Sequence, residues 1–167
     1  MKITNLMDDS KMVAATFGEK YSGFEQMIGR DFGSKSIGFH VEVMNPKTFS
    51  CPYHFHTEEE ELCIVLEGEA IVRCGDEFRK VRKGDLIYYG AGPDCAHHMY
   101  NHTENPFRFF ILSTRAPNEL CFYPDSGKQL DRKSRKVTKD GVEVDYLLGE
   151  EDPSKFWPEH ALRGDVP

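Results

Sequence analysis

The stretch Pro52–Gly68, PYHFHTEEEELCIVLEG, decides how the rest of the chain is read. It places His54 and His56 one residue apart, follows them with a glutamate run ending at Glu61, and closes an apolar run with Glu67-Gly68. On an extended strand, side chains alternate between faces. His54 and His56 therefore point to one side, and their ring nitrogens can converge on one ion. Glu61 lies an odd number of residues further on, so an unbroken strand would turn it away. A turn through Thr57 to Glu60 brings it back. Leu62-Cys63-Ile64-Val65-Leu66 then forms a second strand that ends in a glycine turn. Two imidazoles and a carboxylate suit a divalent first-row metal.

A second cluster lies downstream. Gly84-Asp85 opens an apolar strand, Leu86 to Tyr89. Gly90-Ala91-Gly92-Pro93-Asp94 is a turn, and Cys95-Ala96-His97-His98-Met99-Tyr100-Asn101 follows it. Alternation puts His97, Met99 and Asn101 on one face and His98 and Tyr100 on the other, so parity favours His97 over His98 as a ligand. Together the two segments resemble the cupin superfamily. The first reads HxH, four residues, Glu, six residues, Gly; the second reads Gly84, Gly92, His97, three residues, Asn101. Two positions depart from the family pattern: Lys47-Thr48 stand where it has a glycine, and Gly90 where it usually has a proline.

The resemblance covers residues 36–114. It implies an all-β fold of the cupin type, a double-stranded β-helix or small antiparallel jelly-roll barrel. It implies a metal held by three His and one Glu, which by position are His54, His56, Glu61 and His97. Glu61 is preferred to Glu60 by the six-residue gap to Gly68 and by its parity with Cys63 and Val65. One divalent transition metal per chain is expected, and Fe, Mn, Ni, Zn, Co and Cu all suit such ligands. The superfamily's small barrels often pair, so the resemblance also implies a homodimer.

The strand pattern supports a barrel or sandwich by itself. Residues 1–35 form a Gly-dotted N-terminal extension, in which Phe24 to Ile28 reads as one helical turn between Gly23 and Gly29. In Ser36 to Met44, Ile37, Phe39, Val41 and Val43 share one face. His40 and Glu42 lie on the other, and His40 reads as a surface or edge residue. Ala70 to Cys74 and Phe78 to Val81 flank the Gly75-Asp76 turn, with Arg79, Lys80, Arg82 and Lys83 discouraging edge aggregation. Phe107 to Thr114 is a final buried strand. Residues 115–167 are a C-terminal extension expected to pack on the barrel or on a partner subunit. Val137-Thr138 and Val142 to Leu147 read as a hairpin around Asp140-Gly141. Phe156-Trp157 is an apolar anchor, and Arg132-Lys133-Ser134-Arg135-Lys136 reads as a solvated basic turn.

At 167 residues the chain is most simply one domain with extensions, and 39% apolar residues with twelve Phe suffice for a core. No apolar run reaches membrane-spanning length, and the acidic N-terminus MKITNLMDDSKMV does not resemble an export signal. Five cysteines at irregular spacing read as reduced thiols of a cytoplasmic protein. A net charge of −7 argues against nucleic acid or an anionic membrane as partner, leaving a small-molecule ligand or substrate.

Acid–base groups must come from inward residues near the barrel mouth. Tyr53, Tyr89, Cys95 and Arg108 are the candidate catalytic residues, and the sequence does not rank them. A tyrosine or cysteine can donate or accept a proton, and Arg108 can clamp a carboxylate or phosphate. Cys51 and Cys63 read as small core fillers. Two functions follow: a metal-dependent dioxygenase, decarboxylase or isomerase acting on a small polar metabolite, or a non-catalytic small-molecule binding or sensing module.

Overall fold

A computed structural model describes residues 1–167, the whole sequence. The N-terminal segment supplies β1 (Val13–Thr16), β2 (Ser22–Gln26) and the short helix α1 (Ile28–Phe32). The central part supplies β3 (Ile37–Met44), β4 (Phe55–His56), β5 (Glu61–Glu67), β6 (Glu69–Cys74), β7 (Glu77–Arg82), β8 (Leu86–Tyr89), β9 (His97–Tyr100) and β10 (Phe107–Thr114). The C-terminal part supplies β11 (Leu120–Tyr123), β12 (Lys128–Asp131), β13 (Lys136–Lys139), β14 (Val142–Glu143) and a last helix, α2 (Glu159–Leu162).

All strand pairs are antiparallel. One sheet has the order β1-β2-β3-β10-β5-β8, a second β7-β6-β9, and a third β14-β13-β12-β11-β4. This is the all-β cupin architecture expected from the two motifs. The sheet of β7, β6 and β9 faces the six-stranded sheet across a core of Met44, Cys63, Val65, Ala70, Val72, Val81, Tyr89, Met99, Phe107 and Phe109. Alternation selects these residues: Cys63 and Val65 from β5, Ala70 and Val72 from β6, Phe107 and Phe109 from β10. Gly68 joins β5 to β6 at φ 80°, where a β-carbon would lie 2.7 Å from the Pro106 carbonyl oxygen.

Two local expectations need correction. Residues 24–26 are strand, not helix, and the helical turn begins only at Ile28. Gly23 is the cause: a β-carbon there would sit 2.1 Å from the Val43 carbonyl oxygen, so its absence lets β2 lie close on β3. On β3 the apolar face is not the cavity face. Helix α1 covers it from outside, with Phe39 against Phe32 and Phe110, while His40 and Glu42 turn into the barrel. Residues 132–135 form the expected exposed turn, and Arg132 at its start also reaches the cavity wall.

The C-terminal segment is woven into this chain's own barrel. Strand β11 pairs with β4, placing Cys121 opposite His56 and Phe122 opposite Phe55. Strands β13 and β14 form the expected hairpin. Trp157 and Ala161 join Tyr21, Phe49 and Ile71 in a second apolar cluster. The Trp157 indole donates to His98 Nε2 at 2.7 Å, and His98 Nδ1 donates to the Cys51 carbonyl at 3.3 Å. Both ring nitrogens are thus matched only when the imidazole is neutral. Burial and then the nearby Arg73 push the His98 pKa well below the ordinary value.

Asn101 closes the motif strand as a buried connector. Its amide donates to the carbonyls of Asn45 at 3.0 Å and Asn105 at 2.8 Å, and its oxygen accepts from the Thr103 backbone at 3.1 Å and hydroxyl at 2.8 Å. Asn101→Ala is expected to cost about 2–4 kcal/mol, because buried partners lose hydrogen bonds worth about 1 kcal/mol each. Urea unfolding of the two proteins measures this.

Candidate metal centre

Four elements converge at one end of the barrel. His54 precedes β4, and its backbone exchanges hydrogen bonds with that of His97 at 3.2 and 2.8 Å. His56 sits on β4, Glu61 opens β5 and His97 opens β9. The ring centroids of His54 and His56 are 5.1 Å apart and those of His54 and His97 4.7 Å apart. Glu61 faces all three histidines. Its Oε1 is 3.7 Å from His56 Nε2 and its Oε2 is 3.3 Å from His97 Nε2. The donor atoms of His54, Glu61 and His97 lie within 4.8 Å of one another. Ligands held at about 2.1 Å around one ion lie roughly 3–3.5 Å apart, so the spacing suits a metal.

The layer behind these ligands sets which nitrogen faces inward. His54 Nδ1 donates to the Pro52 carbonyl at 2.9 Å and His97 Nδ1 to the Cys95 carbonyl at 2.9 Å. A carbonyl only accepts, so Nδ1 carries the hydrogen in both rings and Nε2 keeps its lone pair. His56 Nδ1 meets the Glu119 carboxylate at 3.1 Å. That carboxylate also accepts the backbone N–H groups of Thr57 at 3.0 Å, Glu58 at 2.9 Å and Glu59 at 2.9 Å. Glu119 therefore holds both the ring of a candidate ligand and the loop that swings the glutamate run back to Glu61. Sequence reasoning missed it, because a lone glutamate between Pro117-Asn118 and β11 carries no motif. The only available signal was that the Thr57–Glu60 turn needs an acceptor for its N–H groups.

Two further donor groupings are weaker. His56, Glu59 and Glu119 cluster, but Glu119 already takes up backbone N–H groups. His54, His56 and Cys121 also cluster, yet burial pushes the Cys121 thiol up to about 12, and a protonated thiol is a poor ligand. Burial and then the neighbouring His97 and His56 depress His54 to about 3. For Glu61, burial favours the neutral acid. The adjacent His97 and the other two imidazoles outweigh it and hold the carboxyl at about 2. The site thus keeps the His54 ring neutral and the Glu61 carboxyl ionised, the forms that bind a metal.

A cavity of about 220 Å³ opens at this cluster. Of the candidate catalytic residues, only Tyr89 lines it. Its ring stacks on His97 with centroids 3.5 Å apart, and its buried hydroxyl has no hydrogen-bond partner. Burial raises the Tyr89 pKa well above the ordinary range, so the hydroxyl is a donor. Tyr53 points elsewhere, accepting the Gly75 N–H at 3.0 Å while the Arg73 guanidinium lies 3.8 Å over its ring. Cys95 reaches the site only through the carbonyl that receives His97 Nδ1. Arg108 faces out of the barrel. It donates to the Leu6 carbonyl at 3.1 Å, pairs with Asp9, and lines a separate hollow of about 750 Å³ remote from the histidines. That hollow is larger but holds none of the clustered ligands.

The cavity instead presents groups that the sequence did not mark. His40 Nε2 and Glu42 Oε1 are 2.8 Å apart on its wall. Burial opposes charging His40, but the hydrogen bond and charge of Glu42 prevail and raise its pKa. The C-terminal segment contributes Cys121, Tyr123, Leu130, Arg132 and Tyr146.

The chain carries a cupin domain. The Cupin domain family profile matches residues 40–113. Among solved structures, a sugar phosphate isomerase of the cupin superfamily from Silicibacter pomeroyi superposes with a TM-score of 0.70 at 21% identity, covering 82% of this chain and 92% of that one. A protein from Photorhabdus luminescens shares 30% identity over 69% of this chain and 89% of its own, with a TM-score of 0.50. The polyketide cyclase RemF from Streptomyces resistomycificus gives 0.58 at 20% identity, covering 71% and 83%. No match was found among curated proteins. The isomerase and the cyclase, at these identities, share the fold alone.

Glu119→Ala is expected to weaken metal binding about 10–100-fold, the usual effect of removing the group behind a ligand, as read by titration against a competing chelator. The metal-free protein is expected to lose stability as pH falls below about 6.5. Folded His54 resists protonation down to about 3 and folded Glu61 down to about 2, whereas the unfolded chain takes up those protons near 6.5 and 4.5. Urea midpoints at pH 7.5 and pH 5 test the sign.

Proposed function

We propose that this cupin holds one divalent transition-metal ion through His54, His56, Glu61 and His97 and is a metal-dependent enzyme acting on a small polar metabolite, of dioxygenase, decarboxylase or isomerase type. The observation that carries the reading is the engagement of Nδ1 in all three rings, which leaves three Nε2 atoms beside Glu61 at the base of a cavity. An ion bound there supplies Lewis-acid activation of a substrate oxygen or, if redox-active, a site for dioxygen. The chain supplies the rest. His40, with Glu42 as partner, is placed to hold and return a proton, and the Tyr89 hydroxyl to donate a hydrogen bond. Tyr123, Leu130 and Tyr146 limit the entry of water.

A binding or sensing role is the second reading. It is favoured by the placement of Tyr53, Cys95 and Arg108, which leaves the cavity with few proton-transfer groups. Turnover separates the readings, since a binding module returns its ligand unchanged. All five cysteines are free, which supports the reduced, cytoplasmic setting included in the proposal, as is a homodimer. No helix is long and apolar enough to cross a membrane.

Elemental analysis of protein purified without an affinity tag is expected to find close to one transition-metal ion per chain, and His97→Ala and His54→Ala to lose it. Retention of the ion by both variants would refute the site.

A further inference from the structure

We propose that the ligand of this cavity is a small organic anion whose charged group is held by Arg132. The inference rests on the metal reading above and adds the substrate class. Arg132 lines the same cavity as His54, His56, Glu61 and His97, although it belongs to the C-terminal extension. Its backbone N–H donates to the Glu119 carbonyl at 3.2 Å, so the residue that fixes His56 also fixes the base of this side chain.

The guanidinium makes no hydrogen bond and has only one long ion pair. Its nearest carboxylate oxygen, Glu59 Oε2, is 3.9 Å away, beyond hydrogen-bond reach, and that oxygen itself makes no hydrogen bond. Other arginines in the barrel have found partners. Arg73 grips Asp125 with two bonds of 2.7 and 3.1 Å, and Arg108 is tied to Leu6 and Asp9. Arg132 keeps a rigid fork of donors at the cavity wall, with its side chain 38% exposed.

Charge and size agree. The two carboxylates that line the cavity, Glu42 and Glu61, are offset by a divalent ion, which leaves the Arg132 guanidinium, 3.9 Å from Glu59, as the remaining charge of the lining when His40 is neutral. A positive group at a low-dielectric recess attracts anions. The volume of about 220 Å³ lies below the ~300 Å³ of sites for drug-sized ligands. Met99, Phe109, Ile111 and Leu130 give the interior an apolar lining. The fitting ligand is short, with a carbon body, an oxygen for the ion, and a carboxylate or phosphate for the fork.

The test uses zinc-loaded protein and calorimetric titration with acetate, inorganic phosphate, and the dicarboxylates malonate, succinate and glutarate. Zinc content is measured on every sample. In the wild type at least one dianion is expected to bind about tenfold or more tightly than acetate, the worth of one charge-assisted contact. Arg132→Gln should collapse that ratio towards one, and Arg132→Lys should restore part of it. A preference led by phosphate assigns a phosphorylated ligand, and one led by a dicarboxylate assigns a carboxylate. A dianion preference undiminished in Arg132→Gln, or absent from zinc-loaded wild type, overturns this inference and leaves the metal reading standing. A wild type that takes up no zinc overturns both.

Discussion

Three imidazole rings can share one centre only if each has somewhere else to direct its second nitrogen. Here two rings use backbone carbonyls two residues before them, Pro52 for His54 and Cys95 for His97, while His56 uses the carboxylate of Glu119. The first two arrangements are local and follow from the bend of the chain. The third spans 63 residues and is the constraint on which the rest depends. Without it the His56 ring is free to turn, and the loop from Thr57 to Glu59 loses the acceptor for three of its N–H groups.

That dependence explains the layout of the chain. Strand β11 pairs with β4, so the C-terminal segment is hydrogen-bonded to the strand that carries His56. Trp157 and α2 then anchor the end of the segment in a second apolar cluster, and β12 with the turn after it adds Leu130 and Arg132 to the cavity wall. The profile match ends at residue 113, yet the walls of the site continue to Tyr146. The common barrel brings the four candidate ligands together, while the added segment shapes the space in front of them.

The sequence was legible where spacing has a geometric consequence. Strand parity brought His54 and His56 to one side, chose His97 over His98, and put Cys63 and Val65 in the core. It failed where two surfaces competed for one strand. On β3 the apolar alternation was genuine, but it marked the face under α1, so His40 was read as a surface or edge residue when it lines the cavity beside Glu42. Arg108 was misplaced by the same ambiguity, since β10 is covered on both faces near its start. Glu119 was invisible for a different reason. Its role arises from pairing between distant segments, and a lone charged residue in a loop has no periodicity to betray it, while Arg132 was hidden within a basic run whose other members are exposed.

The long reach of Glu119 also orders events in time. A chain emerging from the ribosome exposes all four candidate ligands by residue 97, but the clasp, the wall and the anchoring indole follow only with residues 119, 132 and 157. Closing so wide a loop is entropically costly and waits on the β4–β11 pairing. The finished pocket is therefore a late product of folding, and an ion arriving before synthesis ends meets a His56 ring whose orientation has yet to be set.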